Sequence, residues 1–200
     1  MTAASFGSQY HNVLQVTAPE ARGAHTASFF RQARRVAGAC LVAVSLSASS
    51  NSAALVETQG EKPAFTLTDP DSKSFALATQ RGRTVLVHFF ATWCEPCRDE
   101  LPALNRLVER TRDEKFAVVA ISVAEGPGRV RRFLEQVPVN FPILLDQDRA
   151  VAKTWDVSAL PSSFILDSDL QVRLAVESDY DWDRLDVATL IKTISGEGKP

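Results

Sequence analysis

The sequence is poor in the residues that build disulfide frameworks and metal centres: three cysteines and three histidines in 200 residues. Cys94 and Cys97 have only two residues between them, and a bridge that short closes almost no loop, which excludes a stabilising disulfide framework. Arg98 follows Cys97, so there is no Cys-x-x-Cys-His haem attachment motif. Two soft thiolates bind Cu(I), but a stable site recruits further ligands. Of His11, His25 and His88, the first two lie in an N-terminal stretch that reads as removable. A glycine loop for nucleotides is also lacking, so no cofactor is expected. Low-complexity tracts, repeats and dividing linkers are absent from residues 57–200, and 45% apolar with 23% charged residues suits one ordinary core.

Acidic residues are scarce at the start. Residues 1–54 hold Glu20 alone against Arg22, Arg31, Arg34 and Arg35, a bias that points to targeting rather than folding. Three of those arginines precede the uncharged run 36–48, and Ser52-Ala53-Ala54 offers small residues for cleavage. That order is the order of a secretory signal peptide. The run is short for a bilayer span, although an uncleaved anchor over 36–56 is the alternative. The thirty residues ahead of it are long for a charged n-region, and an organellar transit peptide is the rival reading. Cys40 is not placed as a lipoprotein acceptor, since its apolar stretch follows it. The expected organisation is a targeting segment over 1–54 and one folded domain over 55–200. Without the segment, 18 basic residues face 23 acidic ones and no basic stripe remains, so nucleic acid is not an expected partner.

What the chain does have is Trp93-Cys94-Glu95-Pro96-Cys97, at the end of the apolar run 84–90 and ahead of a helical pattern. A Cys-x-x-Cys pair at a strand-to-helix corner reads as a redox dithiol. The helix N-terminus, with its unpaired N–H groups and dipole, favours a thiolate at the first cysteine. Cys94 is therefore the candidate nucleophile and Cys97 its resolving partner. Runs 84–90 and 116–122 suit strands buried on both faces of a parallel sheet. Between them, Leu101, Leu104, Leu107 and Val108 form one stripe of a crossover helix that Pro102 should kink. A hairpin is expected over 64–77, helices over 130–136, 149–155 and 183–195, a strand over 141–146, and a closing hairpin over 163–177. The fold class is α/β, a central mixed sheet flanked by helices, with an N-terminal hairpin and a central insert.

With these motifs in place, residues 58–197 resemble the thioredoxin superfamily, and within it the exported TlpA-like and ResA-like thiol-disulfide oxidoreductases. The likeness is carried by residues 89–97, Glu100, Pro102, the segment 139–146 and the segment 157–164. It implies a thioredoxin-like fold and a protein disulfide reductase, often one serving cytochrome c maturation. It also implies a cis Leu160-Pro161 bond, which costs little only before proline. That bond would let the Leu160 backbone pair with an extended client segment beside the sulfurs. Read from the residues alone, Pro161 equally suits the start of a strand. Where the family commonly has glycine two residues earlier, this chain has Ala159, which puts the local turn geometry in question.

Glu100 lies one helical turn beyond Cys97, on the same face, where a partly buried carboxyl can take and return protons. The plainer alternative is a solvated first-turn acid, as for Asp99. His88, six residues before Cys94, is a candidate proton shuttle, or as a cation a means of lowering a thiol pKa. The plainer alternative there is a neutral core histidine whose ring N–H meets a backbone carbonyl. Glu95 and Pro96 tune the couple; Trp93 packs beside the dithiol in the family. Trp155 and Trp182 read as core or surface-anchor residues.

Together these features point to an extracytoplasmic disulfide reductase, periplasmic or anchored facing the periplasm, with an organellar site as the alternative. Its partners would be a disulfide-bonded client and a membrane or soluble thiol reductant. A copper metallochaperone or oxidase-assembly factor is the alternative from another class. A peroxiredoxin-like peroxidase ranks below it, because Phe90 and Ala91 stand where those enzymes place a Pro and a Ser or Thr.

Overall fold

The computed structural model describes residues 53–195. The targeting segment expected over 1–54 therefore lies outside the described residues except at its last two positions. One mixed sheet of eight strands runs through the domain, in the order β1-β8-β7-β4-β5-β6-β2-β3. Its centre is β4 (Thr84–Phe90), parallel to β5 (Phe116–Val123) and antiparallel to β7 (Ser162–Leu166). Beyond β5 lie β6 (Ile143–Asp146) and the hairpin of β2 (Thr66–Thr68) with β3 (Ser74–Ala76). Beyond β7 lie β8 (Val172–Val176) and then β1 (Val56–Gly60).

All seven residues of β4 are buried, as a strand paired on both sides and covered on both faces must be. Successive side chains alternate between the two faces. Leu86 and Phe90 pack into the layer that holds Leu101, Leu104 and Leu107 of α1 (Glu95–Arg110), together with Val130 and Phe133 of α2 (Pro127–Leu134). Val187 and Leu190 of α4 (Val187–Ile194) join the same layer. Val85, Val87 and Phe89 pack into the other, with Trp155 and with Ala152 of α3 (Ala150–Thr154). By this alternation His88 belongs to the face that α1 covers.

The expected elements are present with shifted ends. Helix α2 begins at Pro127, a residue suited to a first helical position, after Gly126. The helix expected over 183–195 is two pieces: a 3-10 turn at Trp182–Arg184, then α4, whose N-cap Asp186 accepts the N–H of Thr189 at 3.1 Å. Strand β1 was not expected at all. Its sequence, Val-Glu-Thr-Gln-Gly, has no apolar alternation because it is an edge strand held through backbone pairing to β8 across a bulge. Among the described residues no helix is long and apolar enough to cross a membrane.

Candidate active site

Strand β4 ends at Phe90, and the chain turns through 91–93 into α1, so the cysteine pair sits at the corner. Cys94 is the N-cap of α1, and its Sγ accepts the Cys97 N–H at 3.3 Å. Pro96 occupies the first turn, where its missing N–H costs nothing. The two cysteines are joined by a disulfide with Cα atoms 5.3 Å apart. Both are buried, whereas Trp93 beside them is 64% exposed. The Leu160-Pro161 bond is cis. Leu160 is half-buried and lines, with Trp93, Val123, Ala152 and Val157, an apolar cleft of about 360 Å³ rimmed by Arg149. Ala159 does not have a positive φ, so alanine meets no steric demand there, and its carbonyl accepts the Ser162 hydroxyl at 2.7 Å.

Glu100 is buried at 5% exposure, not solvated. Its Oε1 accepts the Tyr180 N–H at 2.9 Å and the Trp182 Nε1–H at 2.6 Å. Burial, with Asp179 nearby, outweighs those two donors and pushes its carboxyl up to about 7. His88 is fully buried on the same face, Nδ1 2.9 Å from the Ser163 hydroxyl and Nε2 4.0 Å from Glu100 Oε2. Its polar partner is thus a hydroxyl, not the backbone carbonyl expected. Burial lowers its pKa to about 3, which favours the neutral ring over the cation at ordinary pH. Trp155 is a core residue, its indole N–H on the Pro63 carbonyl at 3.0 Å. Trp182 is also buried but does more than fill space, since it is one of the two groups that hold Glu100. Arg106 ties that turn to α1 by pairing with Asp183 at 2.9 and 2.7 Å.

A second buried carboxylate, invisible in the sequence, holds the other side of the corner. Glu125 accepts the Thr92 N–H at 2.8 Å, the Thr92 hydroxyl at 2.6 Å and the Ser122 hydroxyl at 2.8 Å, and it pairs with Arg129 at 3.1 Å. Ala124, at φ 61°, turns the chain just before it. The available signal was a charged residue between a strand and Gly-Pro, which reads as loop; its partner Thr92 is 33 positions away. Among the described residues no group of three or more His, Cys, Asp or Glu is arranged to hold a metal ion.

A bonded Cys-x-x-Cys pair capping a helix, a cis-proline at the head of the strand paired with β4, and a mixed sheet covered on both faces define a thioredoxin-fold dithiol protein. Comparisons with known proteins narrow this. The AhpC/TSA family profile matches residues 56–175. Thiol-disulfide oxidoreductase ResA of Bacillus subtilis is 35% identical over 112 residues, 56% of this chain and 63% of the relative. ResA of Bacillus thuringiensis is 30% identical over 131 residues, 66% of this chain and 76% of the relative. The crystal structure of a DsbE-type thiol:disulfide interchange protein from Chlorobium tepidum superposes with a TM-score of 0.61 at 27% identity, covering 72% of this chain and 100% of that one. The chain belongs to the AhpC/TSA family of the thioredoxin superfamily, in its ResA-like branch of thiol-disulfide oxidoreductases.

Two predictions follow from the buried acids. Glu100 alone adds stability below its ordinary value of 4.5 that is lost as pH rises to about 7. His88 alone adds stability above 6.5 that is lost as pH falls to about 3. Between pH 4.5 and 6.5 the two slopes oppose, so the pair contributes little net dependence. Glu100→Gln should expose the histidine's slope, with stability relative to wild type falling by about 1.4 kcal/mol per pH unit on acidification through that window. Urea unfolding at three pH values measures it; parallel profiles for the two proteins would contradict it. Glu125→Ala leaves three buried or half-buried donors and Arg129 without their acceptor, and a loss of about 3 kcal/mol is expected in the same assay.

Proposed function

We propose that this protein is an extracytoplasmic disulfide reductase in which Cys94 is the nucleophile and Cys97 the resolving thiol. The observation that carries it is the position of Cys94: its sulfur caps α1 and accepts a helix N–H, so a thiolate formed there is stabilised by that donor and by the helix dipole. In the reduced protein the Cys94 thiolate attacks one sulfur of a client disulfide, and the other client sulfur leaves with the bonding electrons. Cys97, having lost its proton, then attacks Cys94 Sγ in the mixed disulfide and releases the second client thiolate. Two electrons pass to the client, two protons follow them, and the Cys94-Cys97 bond forms.

Glu100 is suited to the proton traffic, because it is buried one helical turn beyond Cys97 and titrates near 7. The cleft between Trp93 and Leu160 is where an extended client segment would lie, its backbone against that of Leu160 ahead of Pro161. The direction of electron flow is taken from the ResA-like kinship. The same kinship makes the cysteine pair of a cytochrome c precursor the client class to try first, with a membrane or soluble thiol reductant as donor. Export is supported by the Arg-rich, acid-poor residues 1–54 with their apolar run, read as a signal peptide or an anchor. No observation favours a metal-carrying or a peroxidase reading over this one.

With a disulfide-bonded test protein, Cys97→Ser should accumulate a covalent mixed disulfide that reductant dissolves, and Cys94→Ser should not. Non-reducing gels give the answer, and equal trapping by both variants would overturn the assignment of roles.

A further inference from the structure

Two polar atoms in the core have no hydrogen-bond partner among the described residues, and they are Nε2 of His88 and Oε2 of Glu100. They face each other at 4.0 Å, about 1 Å beyond a hydrogen bond, a gap that a small shift of the carboxyl closes. The other atom of each group is already engaged. Glu100 Oε1 accepts two N–H groups, which makes it the carbonyl-like oxygen and leaves Oε2 as the place for a proton. His88 Nδ1 meets the hydroxyl of Ser163, the residue directly opposite it across β4 and β7.

A proton on Oε2 satisfies both orphaned atoms at once: Oε2–H donates to Nε2, and Nδ1–H donates to the Ser163 oxygen. The reverse arrangement, Nε2–H donating to a carboxylate, would bury a net negative charge. The charged surroundings oppose that. On α1, Asp99 adds negative charge, and the segment packed across from it brings Asp179, Asp181 and Asp183 to the same cleft. The nearby cations are committed, Arg106 to Asp183 and Arg184 to Asp181. Tyr180 turns its backbone N–H to Glu100, and among the described residues no charged side chain other than Glu100 pairs with His88.

We propose that His88 is a positioning residue for the acid of this site: its Nε2 accepts the Oε2–H of Glu100 and so holds the stored proton on that oxygen. The proposal builds on the disulfide-reductase reading. When a reductant thiolate attacks Cys94 Sγ, the Cys94-Cys97 bond breaks with its electron pair on Cys97, and a proton is needed there, one helical turn from Glu100. Without its proton Glu100 would be a carboxylate facing a bare nitrogen, an unfavourable pairing that favours reprotonation of Oε2. His88 neither gains nor loses a proton in this cycle and is a positioning residue.

The test uses the full-length oxidised protein, with ¹⁵N resonances of the His88 ring and ¹³C resonances of the Glu100 carboxyl followed over pH 5 to 8. A neutral ring protonated on Nδ1 is expected, its Nε2 signal moving as Glu100 titrates near 7. Ser163→Ala removes the acceptor for Nδ1–H and tips the ring to the Nε2–H form, which favours the carboxylate. The proton affinity of Glu100 should then fall roughly tenfold. Ser163→Thr keeps the hydroxyl and should keep the wild-type titration, which guards against a folding defect. A wild-type ring protonated on Nε2, or a Glu100 titration identical in Ser163→Ala, would overturn the proposal. These signals need neither client nor reductant, so their failure is distinct from a failure of disulfide exchange.

Discussion

Strand β4 is paired on both sides and buried on both faces, and the chemistry of the molecule hangs from its end. Because the strand cannot shift register without turning every side chain to the wrong layer, Phe90 is fixed, and so is the corner that delivers Cys94 to the head of α1. The same alternation puts His88 beneath the helix rather than on the α3 side. Helix α1 is held in turn by Leu101, Leu104 and Leu107 against the sheet and by Arg106 on Asp183. The sulfurs are thus placed by elements that are themselves over-determined, which is what a reaction requiring in-line approach of three sulfurs needs.

Two buried carboxylates flank the corner and are treated differently. Glu125 is surrounded by donors from Thr92, Ser122 and Arg129 and acts as a clamp on the residues before Trp93. Glu100 has two donors on one oxygen, which favour the carboxylate, but burial and the acidic neighbour Asp179 outweigh them and favour the acid form, with the His88 ring 4.0 Å from the other oxygen. Glu125 anchors the corner, and proton storage is the role proposed for Glu100.

Much of this was legible in the residues. The continuous apolar runs gave away β4 and β5, the leucine stripe gave α1, and the Cys-x-x-Cys pair with Glu100 and Pro161 outlined the site through a family resemblance. What stayed hidden depended on distant partners. Trp182 looked like any large apolar residue until its N–H was seen on Glu100, 82 positions away. Glu125 looked like a loop charge, and β1 had no apolar pattern because its pairing is made by backbone atoms at an edge. His88 was conspicuous in sequence, but only its register opposite Ser163 and its approach to Glu100 tell which role its ring nitrogens can play.

The reduction potential of the Cys94-Cys97 couple in the full-length protein, measured by equilibration against thiol-disulfide buffers, tests the reductase assignment most directly. A midpoint at or below about −200 mV, nearer roughly −270 mV as in thioredoxin, is the expected result. A midpoint near about −120 mV, as in a strong periplasmic oxidant, would contradict it and reverse the direction of electron flow.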